Sequence, residues 1–123
     1  MSSFDQKVHG DIQLLTPRKD LMGGNETKEL SDFIAEIVAK GEPKIVVDLG
    51  KVSFLNSTGL GALVAGHVSC KNHQGWLRLA RSTKRISNLF LITKLAFVFE
   101  TYETVEEALV GINSPEATNG GDK

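Results

Sequence analysis

A chain of 123 residues has room for one domain around one hydrophobic core. Its 41% hydrophobic and 24% charged residues are the balance of a globular protein, and a net charge of −1 gives no global attraction to nucleic acid or an anionic membrane. No apolar run approaches the ~20 residues of a spanning helix, MSSFDQKVHGD lacks a signal-peptide core, and the lone Cys70 excludes an intrachain disulfide, so a cytoplasmic protein is expected.

In chain order, Phe4–Val8 and Asp11–Thr16 pair as an edge hairpin across His9-Gly10, with Pro17 stopping the ladder. Met22-Gly23-Gly24-Asn25 forms a loop, with Asn25 as the expected cap of the next helix. From Glu26, Leu30, Phe33, Ile34, Ile37 and Val38 recur at three and four, the spacing of an amphipathic helix closed by Gly41 and Pro43. Lys44–Leu49, KIVVDL, is a short β-branched run, expected as a strand buried on both faces. After Gly50–Asn56 a second helix carries Leu60, Leu63, Val64, Val68 and Cys70 and ends near Asn72–Gly75.

Trp76–Ala80 alternates as a strand, and Ser82 or Thr83 caps a short helix with Ile86, Leu89, Phe90 and Ile92. Phe97–Glu100 is read as another strand, and Thr104 with Glu107 makes a capping box for a last helix, Val105–Ile112. The tail SPEATNGGDK offers no large apolar side chain to a core, and residues 113–123 are expected to be flexible beyond a single domain, 1–112. Strands alternating with helices imply an α/β fold: one mixed, mainly parallel sheet of four to five strands with about four helices.

The chemistry concentrates in SFLNSTGLGALVAG, residues 53–66, where a helix opens directly after a strand on Asn56, Ser57, Thr58 and Gly59. A hydrolase's nucleophile elbow requires glycine two residues before the serine, and Leu55 stands there instead. No histidine is placed by spacing as a base for Ser57, and Asp48 is the nearest acid. His67 and Cys70 lie three apart on one helix, but two ligands do not complete a metal site. Thr58-Gly59-Leu60-Gly61 at a helix N-terminus suits a phosphate, although a third glycine and a P-loop lysine are missing. The alternative is structural: Ser57 caps the helix and the glycines permit close helix–sheet packing. Local chemistry leaves both open.

The longer stretch IVVDLGKVSFLNSTGLGALVAG resembles the signature of the anti-sigma factor antagonists, bacterial members of the STAS domain superfamily. Their pattern is a buried strand ending in Asp-Leu, a hydrophobic pair, then Asp-Ser-Ser/Thr-Gly-Leu-Gly. The likeness continues through GWLRLARSTKRISNLFLITKLAFVFETYETVEEAL and covers residues 44–110. It implies a STAS-like fold and a protein-binding module without catalytic activity, cofactor or metal. By the resemblance, Ser57 is phosphorylated by a serine kinase of the histidine-kinase-like ATPase type that is itself the anti-sigma factor, with Thr58 the lesser candidate. The unphosphorylated form binds that partner, phosphorylation prevents binding, and a PP2C-like serine phosphatase restores it.

The implied partner face comprises Asp20, Phe54, Asn56, Ser57 and Thr58, together with Gly61, Val64, Ala65 and Val68 on the second helix. Neither nucleic acid nor membrane is an implied partner. Two positions depart from the pattern: Asn56 replaces the acid before the serine, and Pro17-Arg18-Lys19-Asp20 replaces Gly-Glu-Leu/Ile-Asp after the early strand. The rival reading is a small-ligand or nucleotide-binding STAS domain using the N-terminus of the second helix.

Overall fold

The computed structural model describes residues 3–112. Within them five strands form one sheet in chain order: β1 (Phe4–His9), β2 (Ile12–Pro17), β3 (Lys44–Asp48), β4 (Trp76–Ala80) and β5 (Glu100–Tyr102). β1 and β2 are an antiparallel hairpin turned at Gly10, whose φ of 64° suits glycine, and the other pairings are parallel. The described residues also form four helices: α1 (Asn25–Ala39), α2 (Ser57–Asn72), α3 (Lys84–Ile92) and α4 (Val105–Val110). The mixed, mainly parallel α/β architecture is the one expected.

Because the strands follow chain order, crossovers of one hand put their connecting helices on one face. The main core forms there, with Leu30 and Ile34 of α1, Leu60 and Leu63 of α2, and Ile86 and Phe90 of α3 packed on Ile45, Val47, Leu77 and Leu79. Leu63, Ile45 and Leu79 are fully buried, and truncating any of them to alanine is expected to cost about 2–5 kcal/mol. Among the described residues the opposite face has only α4, which lays Ala108, Val105 and Leu109 on Leu14, Val46 and Ala80. Beyond α4 no other described helix covers that face.

Three expectations are corrected. The cap of α1 is Gly24, not Asn25, which is the first helical residue. The last strand is Glu100–Tyr102 rather than Phe97–Glu100; Phe97 is 99% exposed in a turn that closes with Leu95 N–H donating to Phe90 O and Val98 N–H to Leu95 O. Parallel pairing of Arg78 with Glu100 and Ala80 with Tyr102 sets where that strand starts, not the apolar run before it. α4 stops at Val110 because Gly111 turns left-handed, φ 77°. The expected tail lies outside the described residues.

Candidate functional site

β3 ends on a buried charge. Asp48, 5% exposed, accepts from Arg81 Nε at 2.8 Å and Nη2 at 3.2 Å, and from Gly50 N–H at 2.9 Å. The loop beyond is anchored by Val52 and Leu55, both fully buried. A second set of bonds arrives from the segment after β2. Asp20 Oδ1 accepts from Ser53 N–H at 2.8 Å and Phe54 N–H at 3.2 Å, and Ser53 Oγ donates to both carboxylate oxygens. These bonds, the Ser53 amide foremost, hold the Asp20 carboxyl below its ordinary pKa. Leu21 then bridges Leu55: its N–H donates to Phe54 O at 3.3 Å and its carbonyl accepts from Asn56 N–H at 3.2 Å.

Asn56 is the N-cap of α2. Its Oδ1 accepts from Gly59 N–H at 2.9 Å while its Nδ2 donates to Met22 O at 2.8 Å. Ser57, expected as the cap, is instead the first helical residue. Its side chain is exposed, and no hydrogen bond engages its hydroxyl among the described residues. Thr58 is also exposed and packs on Gly23, where a Cβ would stand 3.0 Å from Thr58 Cβ.

The two motif glycines differ. A Cβ on Gly59 would lie 2.0 Å from Leu21 O, so only glycine lets the loop cross the helix there. Gly61 has nothing within 4 Å of a Cβ, so the expectation that both glycines serve close packing against the sheet is corrected. The approach is to a loop backbone, at Gly59 alone.

Residues 57, 61, 64, 65 and 68 recur along one stripe of α2. Gly61, Ala65 and Val68 are exposed, Val64 is half-buried, and Phe54, Asn56 and Asp20 are half-buried at its head. The loop pairing brings Asp20 to Phe54 and Asn56 to Met22, so the head of α2 gathers Asp20, Phe54, Asn56, Ser57 and Thr58, while Gly61, Val64, Ala65 and Val68 run down the helix from it. Asp20 is engaged with the loop itself. The Arg85 guanidinium lies 5.8 Å from the Phe54 ring centroid, at the reach of a cation–π contact.

The Met22–Gly24 turn is held by residues the sequence reading did not single out. Glu26 Oε2 accepts from Met22 N–H at 2.8 Å, Gly24 N–H at 3.1 Å and the Thr27 hydroxyl, and Thr27 Oγ1 accepts from Gly23 N–H at 2.9 Å. The bond from Met22 N–H and that from Glu26's own amide lower the Glu26 pKa to about 2. An acid and a threonine one after the other behind Gly-Gly were the available signal.

His67 lies against Phe99, ring centroids 5.5 Å apart, and burial pushes the Cys70 thiol up to about 11. Among the described residues no group of three or more candidate metal ligands occurs, and no helix is long and apolar enough to cross a membrane. A cavity of about 170 Å³ opens between α1 and α2 beside Ile34, Ala62, Ala65 and Gly66. Two others, of about 260 and 300 Å³, lie against the hairpin and β3. None of these three is lined by residues 56–59.

A family model described as the STAS domain matches residues 3–108. The chain is 29% identical over 106 residues, 86% of its length and 94% of the relative's, to a Thermotoga neapolitana protein provisionally named an anti-sigma factor antagonist. A crystal structure from Thermotoga maritima with the same provisional name superposes with a TM-score of 0.81 at 24% identity, covering 89% of this chain and 93% of that one. The Bacillus cell-fate determinant SpoIIAA in its phosphorylated form superposes with a TM-score of 0.70 at 17% identity, covering 88% and 97%. At these identities the two structures speak for the fold.

Proposed function

Because the chain belongs to the STAS domain family, we propose that it is an anti-sigma factor antagonist, or a related partner-switching regulator, controlled by phosphorylation of Ser57. One observation carries this reading: an exposed serine hydroxyl, free of hydrogen bonds among the described residues, at the first turn of a helix whose entry is pinned by Asn56, Leu21 and Asp20. A kinase can reach such a hydroxyl without unfolding its surroundings. The names of the Thermotoga relatives and of SpoIIAA support the assignment.

In this reading the unphosphorylated protein presents Phe54, Ser57 and the stripe Gly61, Val64, Ala65 and Val68 to an anti-sigma factor that is a serine kinase of the histidine-kinase-like ATPase type. Phosphorylation adds about −1.5 to −2 charges and three strong acceptors. The positive end of α2 tolerates that charge, so the antagonist stays folded. The partner, packed against an uncharged serine, meets steric overlap and an unpaired buried charge. Driving occupancy from 99:1 to 1:99 takes about 5.5 kcal/mol of differential affinity. A PP2C-like serine phosphatase resets the switch. Incubation with candidate kinases and ATP, followed by site mapping by mass spectrometry, tests the assignment. One phosphate on Ser57, absent from Ser57→Ala, is expected; equal phosphorylation of Ser57→Ala refutes it.

A further inference from the structure

The sheet face that α4 leaves open carries a cleft of about 300 Å³. Its two acids are already engaged. Asp5 binds Arg18, with Nε at 3.0 Å, and Asp48 holds Arg81 in two hydrogen bonds. Its other cations are not: Lys7 and Lys51 pair with no carboxylate among the described residues, and both act on Asp5 only through space. Nη1 of Arg81 likewise makes no hydrogen bond among the described residues, with Glu106 of α4 acting on Arg81 from a distance.

Arg81 is also strained. Its φ of 58° is left-handed for a residue with a side chain. The surroundings enforce it: its N–H donates to Tyr102 O at 3.0 Å, and its guanidinium crosses bare Gly50, where a Cβ would stand 2.2 Å from Nη2. A strained backbone held in place by its neighbours is characteristic of functional positions.

We propose that this cleft binds a small phosphomonoester, with Lys7 and Lys51 taking the dianion from two sides, Nη1 of Arg81 completing the contact, and the organic part resting on Leu14 and Thr16. Asp48 acts as a positioning residue that fixes the guanidinium. Lys51 lies on the loop that presents Ser57, so the ligand touches the same segment from the other face of the sheet.

The test is an NMR titration of the full chain with glycerol 3-phosphate at constant ionic strength and about pH 7.5, where the phosphate is dianionic. Saturable shifts are expected at the amides of Lys7, Thr16, Lys51 and Arg81. Affinity should weaken about tenfold in Lys7→Gln and in Lys51→Gln, and be unchanged in Lys84→Gln, a control on α3. Shifts that grow linearly without saturation, shifts centred on Ser57–Leu60, or equal weakening by Lys84→Gln would overturn the proposal. A second arm distinguishes the source of the phosphate. Cosedimentation with phosphatidylcholine vesicles that depends on added phosphatidic acid, Lys7 and Lys51 assigns the site to a lipid headgroup. Binding of glycerol 3-phosphate without cosedimentation assigns it to a soluble ligand.

Discussion

Asn56 does what an aspartate at this position can do only in part. Both residues cap Gly59 N–H, but only the amide also donates to Met22 O. Asn56→Asp therefore trades one hydrogen bond, about 1 kcal/mol, for a helix-dipole gain of about 0.3–1 kcal/mol. Its urea-unfolding free energy is expected within about 1 kcal/mol of wild type. Asn56→Ala loses both bonds and is expected to cost about 2 kcal/mol in the same measurement. The glycines give a sharper pair. Gly59→Ala pushes a Cβ into the Leu21 carbonyl and is expected to destabilise by about 2 kcal/mol or more. Gly61→Ala enters open space and is expected to stabilise by up to about 1 kcal/mol through helix propensity. Equal effects of the two would contradict this placement of the loop. The sequence pointed to Ser57 as the cap, and the partner that holds Asn56 in that place instead, Met22 O, lies 34 residues away.

At the scale of elements, the turn before α1 is an acid-sensitive joint. The folded Glu26 carboxyl has a pKa of about 2, below its ordinary 4.5. A carboxylate depressed by folding contributes stability that is fully present above the unfolded value and is lost as pH falls through the folded one. The contribution therefore fades from about pH 4.5 down to about pH 2. Thermal unfolding of wild type should show a stability loss across that window that is smaller in Glu26→Gln, itself less stable than wild type at pH 7. An unchanged acid slope in the variant would contradict the assignment. Elements with their own period were legible from sequence: α1 and α2 from apolar spacing, β3 from its β-branched run, and α4's start from Thr104, whose Oγ1 accepts from Glu107 N–H at 3.0 Å. β5 was not, because three residues carry no period and β4 dictates their register.

For the whole molecule, alternation of strands and helices was enough to foresee a mainly parallel sheet, and the hairpin supplied its one antiparallel edge. What alternation does not convey is the asymmetry of the two faces. Three helices cover one face and α4 covers part of the other, which follows from strands laid down in chain order. Nor does alternation bring the segment after β2 beside the loop after β3, and that contact holds the head of α2. On the proposed reading, Ser57 sits on a fixed platform, so its phosphorylation should act on the partner's docking and leave this fold intact. Circular dichroism and unfolding midpoints of the phosphorylated and unmodified forms should accordingly differ little. The central claim is tested most directly by the affinity of the cognate kinase for the unmodified protein and for the form carrying phosphoserine at position 57. The account predicts binding weaker by about 10⁴-fold on phosphorylation; indistinguishable affinities would contradict it.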